Sequence, residues 1–160
     1  NHLIEKGCKS PAYFMDTPVN GIYANLRYDG FADTFKKHGI EPVLYLAPKE
    51  CFISMKYEDS VIEFFKQYPD VDCIFTSNDI IAAHVLQYCA KNGIDVPGQM
   101  KVIGYDDIEL ARFCTPALTT IRQPVEDNCR FAVESIINYK EKSIPVNTVF
   151  PVQLIQRESA

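Results

Sequence analysis

Four short apolar runs, PAYFM, PVLYLA, VDCIFTS and KVIGY, are separated by longer stretches whose hydrophobic residues recur three and four positions apart. Strand-length runs that alternate with helix-length patterns call for crossover connections, and such crossovers build a parallel sheet covered by helices on both faces. The third run is the most restrictive. Val71 to Ser77 is nearly unbroken in its apolar character, which suits a central strand buried on both faces. The fold class is therefore α/β, a parallel sheet with helices on both faces.

The pattern gives the elements in order. A first strand near Pro11 to Met15 is followed by a polar loop and a helix from about Gly21. In that helix Tyr28, Phe31, Ala32 and Phe35 fall on one face, and Gly39 ends it. A second strand, Pro42 to Ala47, precedes a helix with Tyr57, Val61, Phe64, Phe65 and Tyr68 on one side. After the third strand Asn78 caps a helix whose buried face is Ile81, Val85, Tyr88 and Cys89, closed by NGI and the turn VPGQ. The fourth strand runs from Lys101 to Asp107. The segment IELARFCTPALTTIRQP is mixed, holds two prolines and ends in the β-prone LTTIRQ, which we read as a crossing strand. A helix from Pro124 to about Lys140 carries Val125, Cys129, Ala132, Val133, Ile136 and Ile137 on one stripe. The tail TVFPVQLIQRES reads as an edge strand, since Pro151 lacks the N–H that an inner ladder needs.

Composition removes several functions. With 160 residues, 47% hydrophobic, the chain can bury one main core. A net charge of -5 without any Lys/Arg run leaves no clustered cations to displace counterions from phosphates, so a direct grip on nucleic acid is not expected. No apolar run approaches the roughly 18 residues of a membrane span, and the opening NHLIEKGCKS lacks a signal peptide's basic-then-apolar order. The six cysteines sit at wide, irregular spacings with no C-x-x-C, so their spacing indicates neither a zinc site nor a redox pair. A reduced, cytoplasmic chain is expected, and one that opens at Asn1, in what reads as mid-helix, is expected to be part of something longer.

Catalysis finds little support. There is no G-x-G-x-x-G, Walker loop or G-x-S-x-G, and His2, His38 and His84 have no partner at a telling spacing. No enzyme, cofactor or metal is expected. A phosphorylated receiver would place paired acids after the first strand, where Asp16-Thr17-Pro18 supplies one; the Asp106-Asp107 pair follows the fourth.

Ligands of open parallel sheets bind beyond the carboxyl ends of the strands, where helix N-termini expose unpaired donors. Two strand ends stand out, Ser77-Asn78-Asp79 and Asp106-Asp107. An amide and a carboxylate side by side suit adjacent hydroxyls, the amide giving and accepting, the carboxylate accepting twice. Either residue alone more often serves as a helix cap or turn former; the pairing is what points to a site. Arg27, on the first full helix, could hold a ligand oxygen or remain a solvated surface residue. Phe52, in the loop after the second strand, could wall a sugar ring or pack in the core. Gln123 could reach a ligand hydroxyl or span two lobes.

Taken in order, HLIEKGCKSPAYF, NLRYDGFADTFKKHGI, the run from IFTSND through IDVP, VIGYDD and TPALTTIRQP, and FPVQLIQRES resemble the lactose-repressor (LacI/GalR) family of bacterial transcription regulators over nearly the whole chain. The resemblance implies a bilobed periplasmic-binding-protein-like core that senses a sugar or related metabolite in its cleft, with ligand closure altering operator affinity. It implies a homodimer that reaches operator DNA only through an N-terminal helix-turn-helix absent from these residues. About 9–116 would form the second lobe, about 119–141 a crossing strand and helix of the other, mostly absent lobe, and about 147–158 a returning edge strand.

Carried over by position, Arg27 matches the family's effector-contacting arginine, Asn78 its asparagine and Asp106 its aspartate. Phe52 matches the aromatic beside the sugar, although KECFISMKY departs from the usual run, and Gln123 in TTIRQP matches as well. By the same analogy Ile81, His84, Val85, Leu110 and Phe113 would lie at the dimer interface. A sugar-binding protein of a transport system shares this core and is the alternative; the unpaired-looking cysteines favour the regulator.

Overall fold

The computed structural model describes residues 1–16, 22–137 and 148–160. In chain order, helix α1 (His2–Glu5) precedes β1 (Pro11–Asp16), α2 (Ile22–Lys36), β2 (Val43–Ala47), α3 (Lys49–Ser54), α4 (Glu58–Gln67) and β3 (Cys73–Thr76). Then come α5 (Asp79–Lys91), β4 (Lys101–Asp106), α6 (Leu110–Phe113), β5 (Thr119–Arg122), α7 (Val125–Ile137) and β6 (Gln153–Ile155). The strands form one sheet in the order β2-β1-β3-β4-β5-β6, parallel from β2 through β5, with β6 antiparallel at the edge. After β1 the chain steps outward to β2 and then back past β1 to β3. That reversal opens a crevice above the carboxyl ends of β1 and β3.

Alternation along the strands divides the core in two. Ala12, Phe14, Ile74 and Val102 face α4 and α5, where Val61, Phe64, Ile81, Ala82, Val85 and Leu86 meet them. Tyr13, Met15, Cys73 and Ile103 face the other way and pack with Leu3, Phe31 and Phe35 of α1 and α2. All six residues of β1 are buried, as a strand covered on both faces requires. The expected faces of α2, α4 and α5 are those that meet the sheet. At the end of α2, Gly39 adopts φ +74, and the amide of Ile40 donates back to the Phe35 carbonyl at 3.1 Å.

Some expectations change. The crossing strand is β5, and it pairs in parallel with β4 along Ile103 to Asp106, so the sheet continues past the boundary expected near Pro116. Residues 110–113, expected within an irregular stretch, form the short helix α6. Phe52 lies on the short helix α3 rather than in a loop. No residue of α7 is buried; its stripe leaves Val125, Val133, Ile136 and Ile137 exposed. The remainder of that expected helix, and the loop after β1, fall outside the described residues.

Gly104 in the middle of β4 is required by packing. A Cβ there would run into Asp79 Oδ1 on α5 and Leu118 Cδ2 just before β5. Gly104→Ala should therefore lower the unfolding free energy by about 1–3 kcal/mol, read from urea denaturation; a variant as stable as the parent would show that Asp79 can shift away without loss.

Candidate functional site

The carboxyl ends of β1, β3 and β4 carry a connected set of polar groups. Asp16, last in β1, is 8% exposed and accepts three hydrogen bonds: from Ser77 Oγ at 2.9 Å, Tyr57 Oη at 2.8 Å and Asn78 Nδ2 at 3.2 Å. Burial, with the bond to Asp16 second, pushes the Tyr57 phenol well above its usual range, so Tyr57 remains a donor. Asn78 has two tasks. Its Oδ1 accepts the Ile81 amide at 2.9 Å, which is the helix cap expected of it, while its amide nitrogen reaches Asp16 at the switch point.

Arg27 extends from α2 over the same rim. One guanidinium nitrogen donates to the Ser77 carbonyl at 3.2 Å, and the plane lies 3.8 Å from the centroid of the Tyr105 ring, a cation–π contact. At the end of β4 the two aspartates part company. Asp106 and Asp107 have φ of 111° and 53°, values that cost a non-glycine residue about 1–3 kcal/mol each. Asp106 accepts from Gln123 Nε2 at 2.6 Å. Asp107 turns away and pairs with Arg122 Nε and Arg157 Nη2, each at 2.6 Å. Only Asp106 belongs to the rim; Asp107 holds the turn.

The two carboxyls titrate in opposite directions. Burial raises that of Asp106, outweighing the Gln123 hydrogen bond and the charge of Arg27, and nearby Asp16 pushes it further up. Burial also opposes the charge of Asp107, but the hydrogen bonds from Arg157 and Arg122 overcome it and hold this carboxyl below its ordinary range.

Arg27, Asn78, Asp106 and Gln123 are thus brought to one rim, each half-buried. Phe52 is 42% exposed on α3, and among the described residues no aromatic contact joins it to that group. Asp16, Tyr57, Ser77 and Tyr105 were not singled out as site residues from the sequence. A cavity of about 470 Å³ touches Arg27 and Tyr105 but opens onto Phe31, Ile103, Ile121 and Leu154. It is an apolar groove on the sheet face and has no Asn78 or Asp106 in its wall.

The expected dimer contacts divide too. Ile81 and Val85 are both fully buried in the core beneath α5, so they face this chain's own sheet and cannot meet a partner. His84 is partly covered, its Nδ1 3.7 Å from Glu58 Oε1 and its ring against Tyr57. Leu110 and Phe113 of α6 are exposed, at 43% and 75%.

The six-stranded, mostly parallel sheet with its reversal between β1 and β3 defines an α/β lobe of the doubly wound class. Residues 1–160 match the family of periplasmic binding protein-like domains. The chain is 36% identical over 145 residues to the ribose operon repressor of Bacillus subtilis, covering 89% of this chain and 44% of that protein. It is 28% identical over 161 residues to the ribose operon repressor of Halalkalibacterium halodurans, covering 99% of this chain and 47% of that protein. Among solved structures, a LacI-family transcriptional regulator from Burkhoderia phymatum superposes with a TM-score of 0.82 at 29% identity, over 98% of this chain and 57% of that one. A periplasmic binding protein/LacI transcriptional regulator from Alkaliphilus metalliredigens, complexed with D-xylulofuranose, gives 0.78 at 29% identity, over 99% and 59%. The chain belongs to the periplasmic binding protein-like domain family, in the form that LacI-type regulators carry. It spans about half the length of the curated relatives it matches.

Behind the rim, Asp79 is 1% exposed; it accepts from Thr120 Oγ1 and from the Ile108 amide at 2.9 Å. Burial nevertheless raises its carboxyl, the two hydrogen bonds only partly offsetting it. A carboxyl raised in the folded state binds more protons than in the unfolded one, so its ionisation costs stability as pH climbs from the ordinary carboxyl range through the raised value. The stability of the parent relative to Asp79→Asn should accordingly decline across that window and level off above it, in denaturation measured at a series of pH values. A difference independent of pH would mean that Asp79 titrates alike in both states.

Proposed function

We propose that this chain is the effector-sensing part of a LacI-type transcriptional regulator, a repressor that reaches operator DNA through a separate domain and takes a small polyhydroxylated metabolite at the rim of β1, β3 and β4. The observation that carries the reading is the convergence of Arg27, Asn78 and Asp106 above the switch point, with Gln123 bonded to Asp106. These groups offer donors and acceptors of the kinds that hydroxyls pair with, and no nucleophile or metal is needed for a switch that works by differential binding. The relatives are named as operon repressors, which supports a regulator over a transport protein. Their ribose operons, and the D-xylulofuranose of the Alkaliphilus complex, make pentoses the first candidates. Phe52 would close one side of the sugar. A homodimer would use the exposed Leu110 and Phe113 beside His84, without Ile81 and Val85.

Calorimetric titration of the full-length regulator with ribose, other pentoses, hexoses and nucleosides tests this, repeated with Asp106→Ala and Arg27→Ala. A buried carboxylate that accepts ligand hydroxyls contributes about 1.5–3 kcal/mol, so Asp106→Ala should weaken the hit by roughly ten- to a hundredfold. An unchanged dissociation constant in both variants would remove this rim from the site.

A further inference from the structure

The six cysteines form two populations. Cys51, Cys114 and Cys129 are half-buried or exposed, whereas Cys8, Cys73 and Cys89 are buried. Cys89 stands in the core beneath α5. Cys8 and Cys73 are far apart in sequence, yet their two sulfurs and an oxygen of Asp72 lie within 4.8 Å of one another.

The fold explains the meeting. Gly7, at φ +80, turns the chain after α1, and the Cys8 amide donates back to the Leu3 carbonyl at 3.1 Å. The next two amides, of Lys9 and Ser10, donate to the two carboxylate oxygens of Asp72 at 2.7 and 3.0 Å. This clamps the α1–β1 connection against the start of β3, whose first residue is Cys73, the register partner of Pro11. The pair sits at the amino end of the strands, away from the ligand rim.

A zinc ion is a poor occupant of this place. Structural zinc takes four donors, while this group offers three, and both oxygens of Asp72 are already engaged by amides. The two thiols are left side by side, with the Asp72 carboxylate next to them. We infer that Cys8 and Cys73 are a reversible dithiol–disulfide pair, oxidised by hydrogen peroxide or a peroxide of similar size and reopened by thiols.

Cys8 is the attacking sulfur. Cys8 keeps what little exposure the pair has, and the neighbouring Cys73 thiol holds Cys8 below its ordinary range despite burial, while Cys73 is pushed up. The Cys8 thiolate displaces hydroxide from peroxide and becomes a sulfenic acid. The Cys73 sulfur then attacks the Cys8 sulfur, the S–O bond breaks, and the released hydroxyl leaves as water with the Cys73 proton. Two thiols are oxidised and one peroxide is reduced to two waters. With exposures of 4% and 0%, the two residues exclude a bulky disulfide, so the oxidant must be small.

The experiment treats the whole chain with hydrogen peroxide, blocks remaining thiols by alkylation in denaturant, and maps the digest by mass spectrometry. The expected product is a peptide pair joined through Cys8 and Cys73, short of two hydrogen atoms and separated by dithiothreitol. It should form equally in a Cys51→Ser/Cys114→Ser/Cys129→Ser variant, and the oxidised form of that variant should melt several degrees higher than the reduced form, because the link shortens the unfolded chain. If both residues are recovered alkylated after peroxide, if Cys8 proceeds to a sulfinic acid with no link to Cys73, or if the links join only the other cysteines, the pair is two packed thiols and the inference fails.

Discussion

Asp79 is the joint on which the rim depends. Its carboxylate is almost sealed from water, and a charge so placed must be matched by donors of fixed direction. Those donors come from two other parts of the chain, the Ile108 amide after β4 and the Thr120 hydroxyl on β5. One residue at the first turn of α5 thereby sets that helix against the ends of both strands. Because Asn78 immediately precedes Asp79 and Asp106 lies two residues before Ile108, the same contacts set the distance between the amide and the acid of the site. Gly104 belongs to this joint, since its missing Cβ is what lets the carboxylate reach across β4.

The strained end of β4 is held from the opposite side. Arg157, 14% exposed in its side chain, donates both to Asp107 and to the Leu118 carbonyl. It comes from the residues after β6, whose Ser159 accepts the Thr119 amide and donates to the Val102 carbonyl. Ser159 thus bridges the amino ends of β4 and β5, and it and Ala160 are buried there. Positive φ at two successive aspartates is tolerable because each carboxylate has its own partners, Gln123 for one and two arginines for the other. The strain aims Asp106 at the rim while Asp107 anchors the turn.

What the sequence discloses, and what it hides, follows from sequence distance. The strands and the buried faces of α2, α4 and α5 are legible because burial on both sides of a parallel sheet writes itself into local periodicity. Asn78 is legible as a cap, and its place with Asp106 as a candidate site, because both stand at strand ends. Asp16 reads only as a lone acid after the first strand; its partners Tyr57, Ser77 and Asn78 come from other elements, and no local pattern joins them. Cys8 and Cys73 are hidden for the same reason. Ile81 and Val85 show a different failure: the helical stripe assigns them to the core, the family analogy assigned them to an interface, and burial decides for the stripe.

On the proposed function, the rim's charge narrows the choice of ligand. Among the described residues, Arg27 is the one cation that acts on the Asp106 carboxyl, and Asp16 acts on it in the opposite sense. Asp16 already accepts three bonds from within the protein, whereas Asp106 accepts one from Gln123, so the open acceptor at the rim is Asp106. A phosphorylated metabolite would bring at least one further negative charge against two carboxylates, with the Arg27 guanidinium already stacked on Tyr105 and tied to Ser77 and Arg122 and Arg157 already paired with Asp107. A neutral polyol would meet no such barrier: its hydroxyls would donate to Asp106 and accept from Arg27. The arrangement of partners, more than the identity of any one residue, therefore favours an uncharged sugar.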